Sequence, residues 1–264
     1  MIGAIGKAII AAVALTFAVA APAQSEGEAG AAASDSASQA RAVVEAGVAA
    51  HGGDGWLDPG TLMLVGYAEF YAADSTAVRS RADDYRMWRV YDAGRTSAHA
   101  AEGKVRISAR SEGAVLFEVG FDGETTWNEK GIVPKAQADA FWASNFGFGI
   151  VRSALEEGFT LQLAPPRMVD GHAVELVRIV DPQGQETLFG FDADSHFIRY
   201  LAFRTPRGWH ERTYDDFIRM PDSGWVQART VTLYYDGVKS NTVWWREVAV
   251  GEPLDDALFA PPAE

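Results

Sequence analysis

From Thr61 onward the chain is dominated by β-rich runs separated by turn residues. TLMLVGYAEFY, starting at Thr61, is the first. In the second half, turn signals recur at Asp170-Gly171, Asp181 to Gly184, Asp192 to Ser195, Thr205 to Gly208, Pro221 to Gly224 and Asp236-Gly237. Between them lie AVELVRIV, ETLFGF, HFIRYLAFR, WHERTYDDFIRM, WVQARTVTLYY and VKSNTVWWREVAV. Asp-Gly between β-rich runs favours tight hairpins, because both central residues need positive φ. Asp122-Gly123 predicts another hairpin, joining AVLFEVGF to ETTWNEKG. Consecutive hairpins without intervening helices make an antiparallel meander, so six strands are predicted over 172–250.

Two segments depart from this period. A helix is predicted from about Ser38 to Ala50, with Ala42, Val43, Ala46, Val48 and Ala49 on a weak apolar face and His51-Gly52-Gly53 as its stop. In residues 134–157, Ala138, Phe141, Trp142, Phe146 and Ile150 recur at helical spacing, and Gly147 and Gly149 divide the stretch into two short helices. The strands carry apolar residues on both faces. Val115, Phe117, Val119 and Phe121 alternate on one side, while Leu116, Ile198, Tyr200, Tyr234 and Trp244 occupy opposite faces. A sheet of about eleven strands so patterned curls. The expected fold is mainly β: an incomplete, unclosed β-barrel with an N-terminal helix and a helical lid.

Residues 1–23 add a compartment. Lys7 precedes the uncharged run AIIAAVALTFAVA, and Ala21-Pro22-Ala23 is a small-x-small cleavage site, the pattern of a secretory signal peptide. Ala18-Val19-Ala20 offers an alternative cleavage site. Thirteen residues fall short of the roughly 20 that a membrane span needs, and no later stretch approaches one, so the mature protein has no stable membrane span. Residues 24–38 are small and polar and read as a flexible leader, leaving 39–264 as one domain. The expected location is the periplasm, with secretion as the variant.

Composition narrows the chemistry. The formal charge of −13 disfavours nucleic acid, whose phosphates need clustered cations. The absence of cysteine removes disulfides, thiolate metal sites and thiol nucleophiles. The histidines, at 51, 99, 172, 196 and 210, lack zinc-protease spacing. In D-A-D-S-H, from Asp192 to His196, Phe197 and Phe203 stand where a calcium loop needs glycine and glutamate. No nucleophile elbow or phosphate-cradling loop is found, and the acidic pairs such as Asp83-Asp84 and Asp215-Asp216 read as solvated. No catalytic residue, metal or cofactor is therefore assigned. Aromatics form 11% of the chain. Trp127, Phe141, Trp142, Phe146 and Phe148 cluster in and before the helical insertion and are the candidate ligand-lining residues, against the alternative that they are core.

Several stretches resemble the LolA-like periplasmic proteins, the outer-membrane lipoprotein carrier and sorting superfamily. They are the helix ending in His51-Gly52-Gly53, the Gly66 strand, FDGETTWN from Phe121 to Asn128, GFDADSH from Gly190 to His196, YDDF from Tyr214 to Phe217, TVTLYYDG, and the tail from Pro253 to Pro262. The resemblance spans about Arg41 to Glu264. It implies an unclosed barrel of roughly eleven strands around apolar space, a lid of helices, and carriage of lipid or lipoprotein acyl chains. Three functions follow: a carrier of an apolar ligand such as a lipid or acyl chain, working with an envelope protein partner; an enzyme in the same barrel using His196, His210 or Arg199; and a protein-interaction or sensing module. Protein recovered from the cell envelope is expected to begin at Gln24 on N-terminal sequencing. Intact Met1 on cytoplasmic protein would contradict export.

Overall fold

A computed structural model describes residues 26–74, 77–145 and 147–262. The segment read as a signal peptide, residues 1–23, lies outside the described residues. Helices α1 (Glu26–His51) and α2 (Asp54–Leu57) precede strands β1 (Thr61–Tyr71), β2 (Val78–Val90), β3 (Lys104–Ser111), β4 (Ala114–Phe121), β5 (Thr126–Asn128) and β6 (Gly131–Ile132). Helix α3 (Lys135–Asn145) and a 3-10 helix over Phe148–Arg152 follow. The chain then forms β7 (Thr160–Val169), β8 (His172–Val180), β9 (Glu186–Asp192), β10 (Ile198–Thr205), β11 (Gly208–Arg219), β12 (Val226–Tyr235) and β13 (Val238–Val250).

The six strands expected over 172–250 are β8 to β13, and β8 to β12 each end at a turn the sequence marks. The sheet has thirteen strands among the described residues rather than about eleven. The short strands β5 and β6, of three and two residues, carry no readable alternation. Helix α1 begins at Glu26, so the stretch read as a flexible leader is helical over most of its length. Two of its side chains bond there: Gln39 Nε2 donates to Asp35, and Ser36 Oγ accepts the Leu163 amide of β7.

The strand order is β6-β5-β4-β3-β2-β1-β13-β12-β11-β10-β9-β8-β7. Every neighbouring pair is also adjacent in sequence except β1 and β13, whose antiparallel pairing joins two meanders. Strands β6 and β7 are the free edges, so the barrel is unclosed. The chain between those edges is the helical insertion, which is how α3 comes to lie over the open sheet.

One face of the sheet holds the main core. Leu62 and Leu64 of β1, Phe189 of β9, Leu201 of β10 and Trp245 of β13 pack there with Ala40 and Val44 of α1. Helix α3 covers another part of the sheet, where Ala138 and Trp142 meet Val105 of β3 and Val119 of β4. The opposite face carries its own cluster of Val174, Leu176, Tyr200 and Ala202. The apolar residues seen on both strand faces thus belong to separate layers.

The seam between β1 and β13 is tight. The register shifts between Val65 and Gly66, and a Cβ on Gly66 would lie 1.9 Å from the Trp244 carbonyl oxygen. Because that obstacle is backbone, it cannot rotate away. Gly66→Ala is expected to lower unfolding stability by about 3 kcal/mol, at the upper end for overpacking. Gly55→Ala, where an added Cβ meets nothing within 4 Å, serves as the control. Urea titration of both variants checks this, and equal midpoints would contradict it.

Candidate functional site

Side chains do not fill the concave face. A cavity of about 360 Å³ remains between the sheet and the helices. Leu64, Met87 and Ile107 of β1 to β3 form part of its wall, and Tyr214, Val231 and Trp245 of β11 to β13 form another part. Trp56 of α2 and Phe148 of the 3-10 helix close it over. Gly52 and Gly53, at φ 133° and 62°, turn the chain out of α1 in conformations that other residues avoid. That reversal brings Trp56 against His51, Phe148 and Trp225, with ring centroids 4.9, 6.4 and 6.5 Å away.

Among the described residues, four arginines also reach this wall, namely Arg89, Arg152, Arg207 and Arg212, and no Lys, Asp or Glu lines it. Arg152 lies among the rings, its guanidinium carbon 4.5 Å from the Trp56 ring, 4.9 Å from Tyr91 and 5.3 Å from Trp225. Its Nε donates to the Trp56 carbonyl at 2.8 Å, while its Nη1 is buried and has no hydrogen-bond partner. Beside it, Glu102 accepts from Arg95 at 2.6 Å and faces Arg89 at 3.8 Å. Burial pushes the Glu102 carboxyl up, against the pull of Arg95 and Arg89, and brings Arg95 down to about 10. One carboxylate is therefore shared among several guanidiniums. At another part of the wall, Arg212 donates from Nε to His210 at 2.8 Å and from Nη2 to the Asn145 carbonyl. Tyr235 donates to the Ser144 carbonyl at 3.0 Å. These two bonds satisfy carbonyls at the end of α3, which its own helix leaves open.

The five residues singled out in the sequence do not meet at one place. Phe141 and Phe148 line the cavity. Phe146 lies outside the described residues. Trp142 is buried against Val105, Val119 and Ala138, and its indole donates to Thr126 Oγ1 at 2.8 Å. Trp127 is buried as well, its indole donating to the Phe259 carbonyl of the tail at 2.7 Å. Neither tryptophan lines the cavity; both pack as core. On α3, neighbours Phe141 and Trp142 point in different directions, so helical spacing alone could not separate wall from core. Among the polar groups considered for an enzyme, His196, His210 and Arg199 also fall outside the cavity lining. Asp192 of D-A-D-S-H accepts from the Asp194 and Ser195 amides and from Arg199, so its oxygens hold a turn.

The arginines were overlooked in the sequence although strand parity marks two of them. Arg89 shares its face of β2 with Tyr85 and Met87, and Arg212 shares its face of β11 with Tyr214. Arg152 comes from an irregular segment that parity does not reach.

Comparison with solved structures places this geometry. The match to a domain described as an outer membrane lipoprotein-sorting protein from Vibrio parahaemolyticus has a TM-score of 0.54 at 11% identity, covering 84% of this chain and 97% of that one. A DUF1329 family protein from Desulfovibrio piger matches at a TM-score of 0.55 and 9% identity, with the same coverage. A LolA superfamily protein from Nitrosomonas europaea matches at 0.50 and 13%, again over 84% and 97%. This is the LolA-like fold. No family model and no curated protein matches the sequence, so the likeness lies in the backbone.

Three histidines are held in neutral form, His51 and His210 buried and His99 half-buried. His51 bonds the Gly47 carbonyl through Nδ1 at 2.8 Å, and its pKa is brought down to about 4, mainly by burial. His99, stacked on Phe203 at 4.3 Å, is also brought down to about 4 by burial. Burial and the neighbouring Arg212 hold His210 at about 2. The unfolded chain takes up these protons near pH 6.5 while the folded one does not. Stability is therefore fully present above about pH 6.5 and falls as pH drops toward 4, by up to about 1.4 kcal/mol per pH unit for each histidine. Urea midpoints at pH 7.5 and 5.0 check this; a midpoint unchanged at pH 5.0 would contradict it.

Proposed function

We propose that this protein is a periplasmic carrier or binding protein that holds lipid, a lipoprotein acyl chain or another apolar ligand in the cavity, in exchange with an envelope protein. The observation that carries the reading is the cavity itself: about 360 Å³ of space lined mostly by aromatic and aliphatic side chains, within the roughly 300–1,000 Å³ of small-molecule sites. An empty apolar cavity costs stability unless something fills it. The LolA-like fold, the names of its lipoprotein-sorting relatives and the N-terminal export pattern support the compartment and the cargo class. No described helix is long and apolar enough to cross a membrane. Phe141 and Phe148 are the ligand contacts in this reading, while Trp127 and Trp142 hold the frame.

Saturable binding of the uncharged dye N-phenyl-1-naphthylamine, followed by fluorescence, tests the proposal. Phe148→Ala is expected to weaken the dye about tenfold, the equivalent of losing most of one buried phenyl contact. Met168→Ala, on an exposed side chain that does not line the cavity, should leave affinity unchanged. Absence of saturable binding by the wild-type protein would overturn the carrier reading.

A further inference from the structure

The wall of the cavity has a charge opposite to that of the chain. The protein carries 36 acidic against 23 basic residues, yet among the described residues the wall holds four arginines and no carboxylate. Of these four, Arg89 is buried, Arg152 and Arg212 are half-buried and Arg207 is exposed, and a purely hydrocarbon cargo would offer the less exposed guanidiniums nothing to offset their desolvation. Arg207 and Arg212 are accounted for within the protein, the first over the Tyr235 ring at 4.3 Å and the second on His210 and the Asn145 carbonyl. Arg89 shares Glu102 with Arg95. Arg152 differs. Its Nε bonds the Trp56 carbonyl and its side chain contacts the Tyr91 hydroxyl, but among the described residues it forms no ion pair, and its Nη1 is a buried donor with no acceptor. A buried donor left without an acceptor is destabilising, more so when it carries charge. Asp58, Asp92, Glu102 and Glu156 line a separate polar recess of about 160 Å³. Arg152 and Tyr91 line both this acidic recess and the apolar cavity.

Resting on the carrier reading, we propose that the cargo is a single-chain anionic amphiphile whose carboxylate or phosphate head pairs with Arg152 while its chain fills the aromatic cavity. The planar guanidinium suits either head, since both present paired oxygens. The surrounding rings of Trp56, Tyr91 and Trp225 exclude water and strengthen that pair. At about 360 Å³ the cavity lies at the small end of ligand sites, which favours one chain over several.

Displacement of N-phenyl-1-naphthylamine by dodecanoate, dodecyl phosphate and dodecan-1-ol tests this, because the three share a chain and differ in the head. The wild-type protein is expected to prefer at least one anion over the alcohol by about tenfold or more, as a charge-assisted hydrogen bond supplies. The better of the two anions identifies the head. In Arg152→Gln and Arg152→Met the anion-to-alcohol ratio should fall to within about twofold of unity, with folding checked by circular dichroism, whereas Arg207→Gln should keep it. Equal displacement by all three amphiphiles in the wild-type protein would overturn the proposal and leave the carrier reading standing. Loss of the ratio in Arg207→Gln with retention in Arg152→Gln would overturn the assignment of Arg152. If neither Arg152 variant folds, the wild-type ratio alone decides. Failure of the dye to bind the wild-type protein would remove the carrier reading and the proposal together.

Discussion

A curved sheet with two free edges has a concave apolar face that its own strands cannot cover, and the rest of this structure follows from that constraint. Closing the barrel would bury the face but leave little room within. Leaving it open requires other elements to shield it from water. Helix α1 does so from the N-terminus, packing Ala40 and Val44 into the main core. The insertion between the edge strands does so from the middle of the chain, with Trp142 anchoring α3 and Phe148 reaching over the space that remains. Helices cover such a surface less completely than a second sheet, and the cavity is the part left over.

The strand framework was legible because its signals are local. An Asp-Gly turn and a run of alternating residues suffice to define a hairpin, which is why β8 to β13 read cleanly. Shorter pieces such as β5 and β6 owe their existence to a neighbouring strand rather than to their own pattern. The start of α1 was misplaced for a related reason. Small polar residues give no amphipathic stripe, although Ser36 bonds a distant strand. The candidate site was half legible. Of the residues that aromatic spacing selects, Phe141 and Phe148 line the cavity and Trp127 and Trp142 do not, and on α3 the direction in which each ring points depends on how the helix is held. That is decided by bonds from Arg212 and Tyr235, more than sixty residues away in sequence.

Charge tells a similar story at larger scale. Net composition described the outside of the molecule, an acidic surface unsuited to nucleic acid. It said nothing of the inside, where arginines from β2, the 3-10 helix and β11 converge on one wall. Convergence of that kind is a property of topology, since Arg89, Arg152 and Arg212 have no sequence proximity. Glu102, the carboxylate that faces Arg89 and Arg95, does not line the cavity and belongs to the loop before β3, so their electrostatic balance rests on a connection rather than on the regular sheet.

The pairing of β1 with β13 has a kinetic meaning. Every other strand pair in the sheet forms between neighbours along the chain, so each meander can zip up through short loops. The seam sets Tyr67 opposite Trp244 and Leu62 opposite Val250, closing a loop that contains nearly the whole domain. Loop-closure entropy grows only logarithmically with length, so the thermodynamic penalty is moderate. The search for such a distant partner is nonetheless slow. Until the two half-sheets meet, each exposes one edge, β1 or β13, that the native sheet pairs.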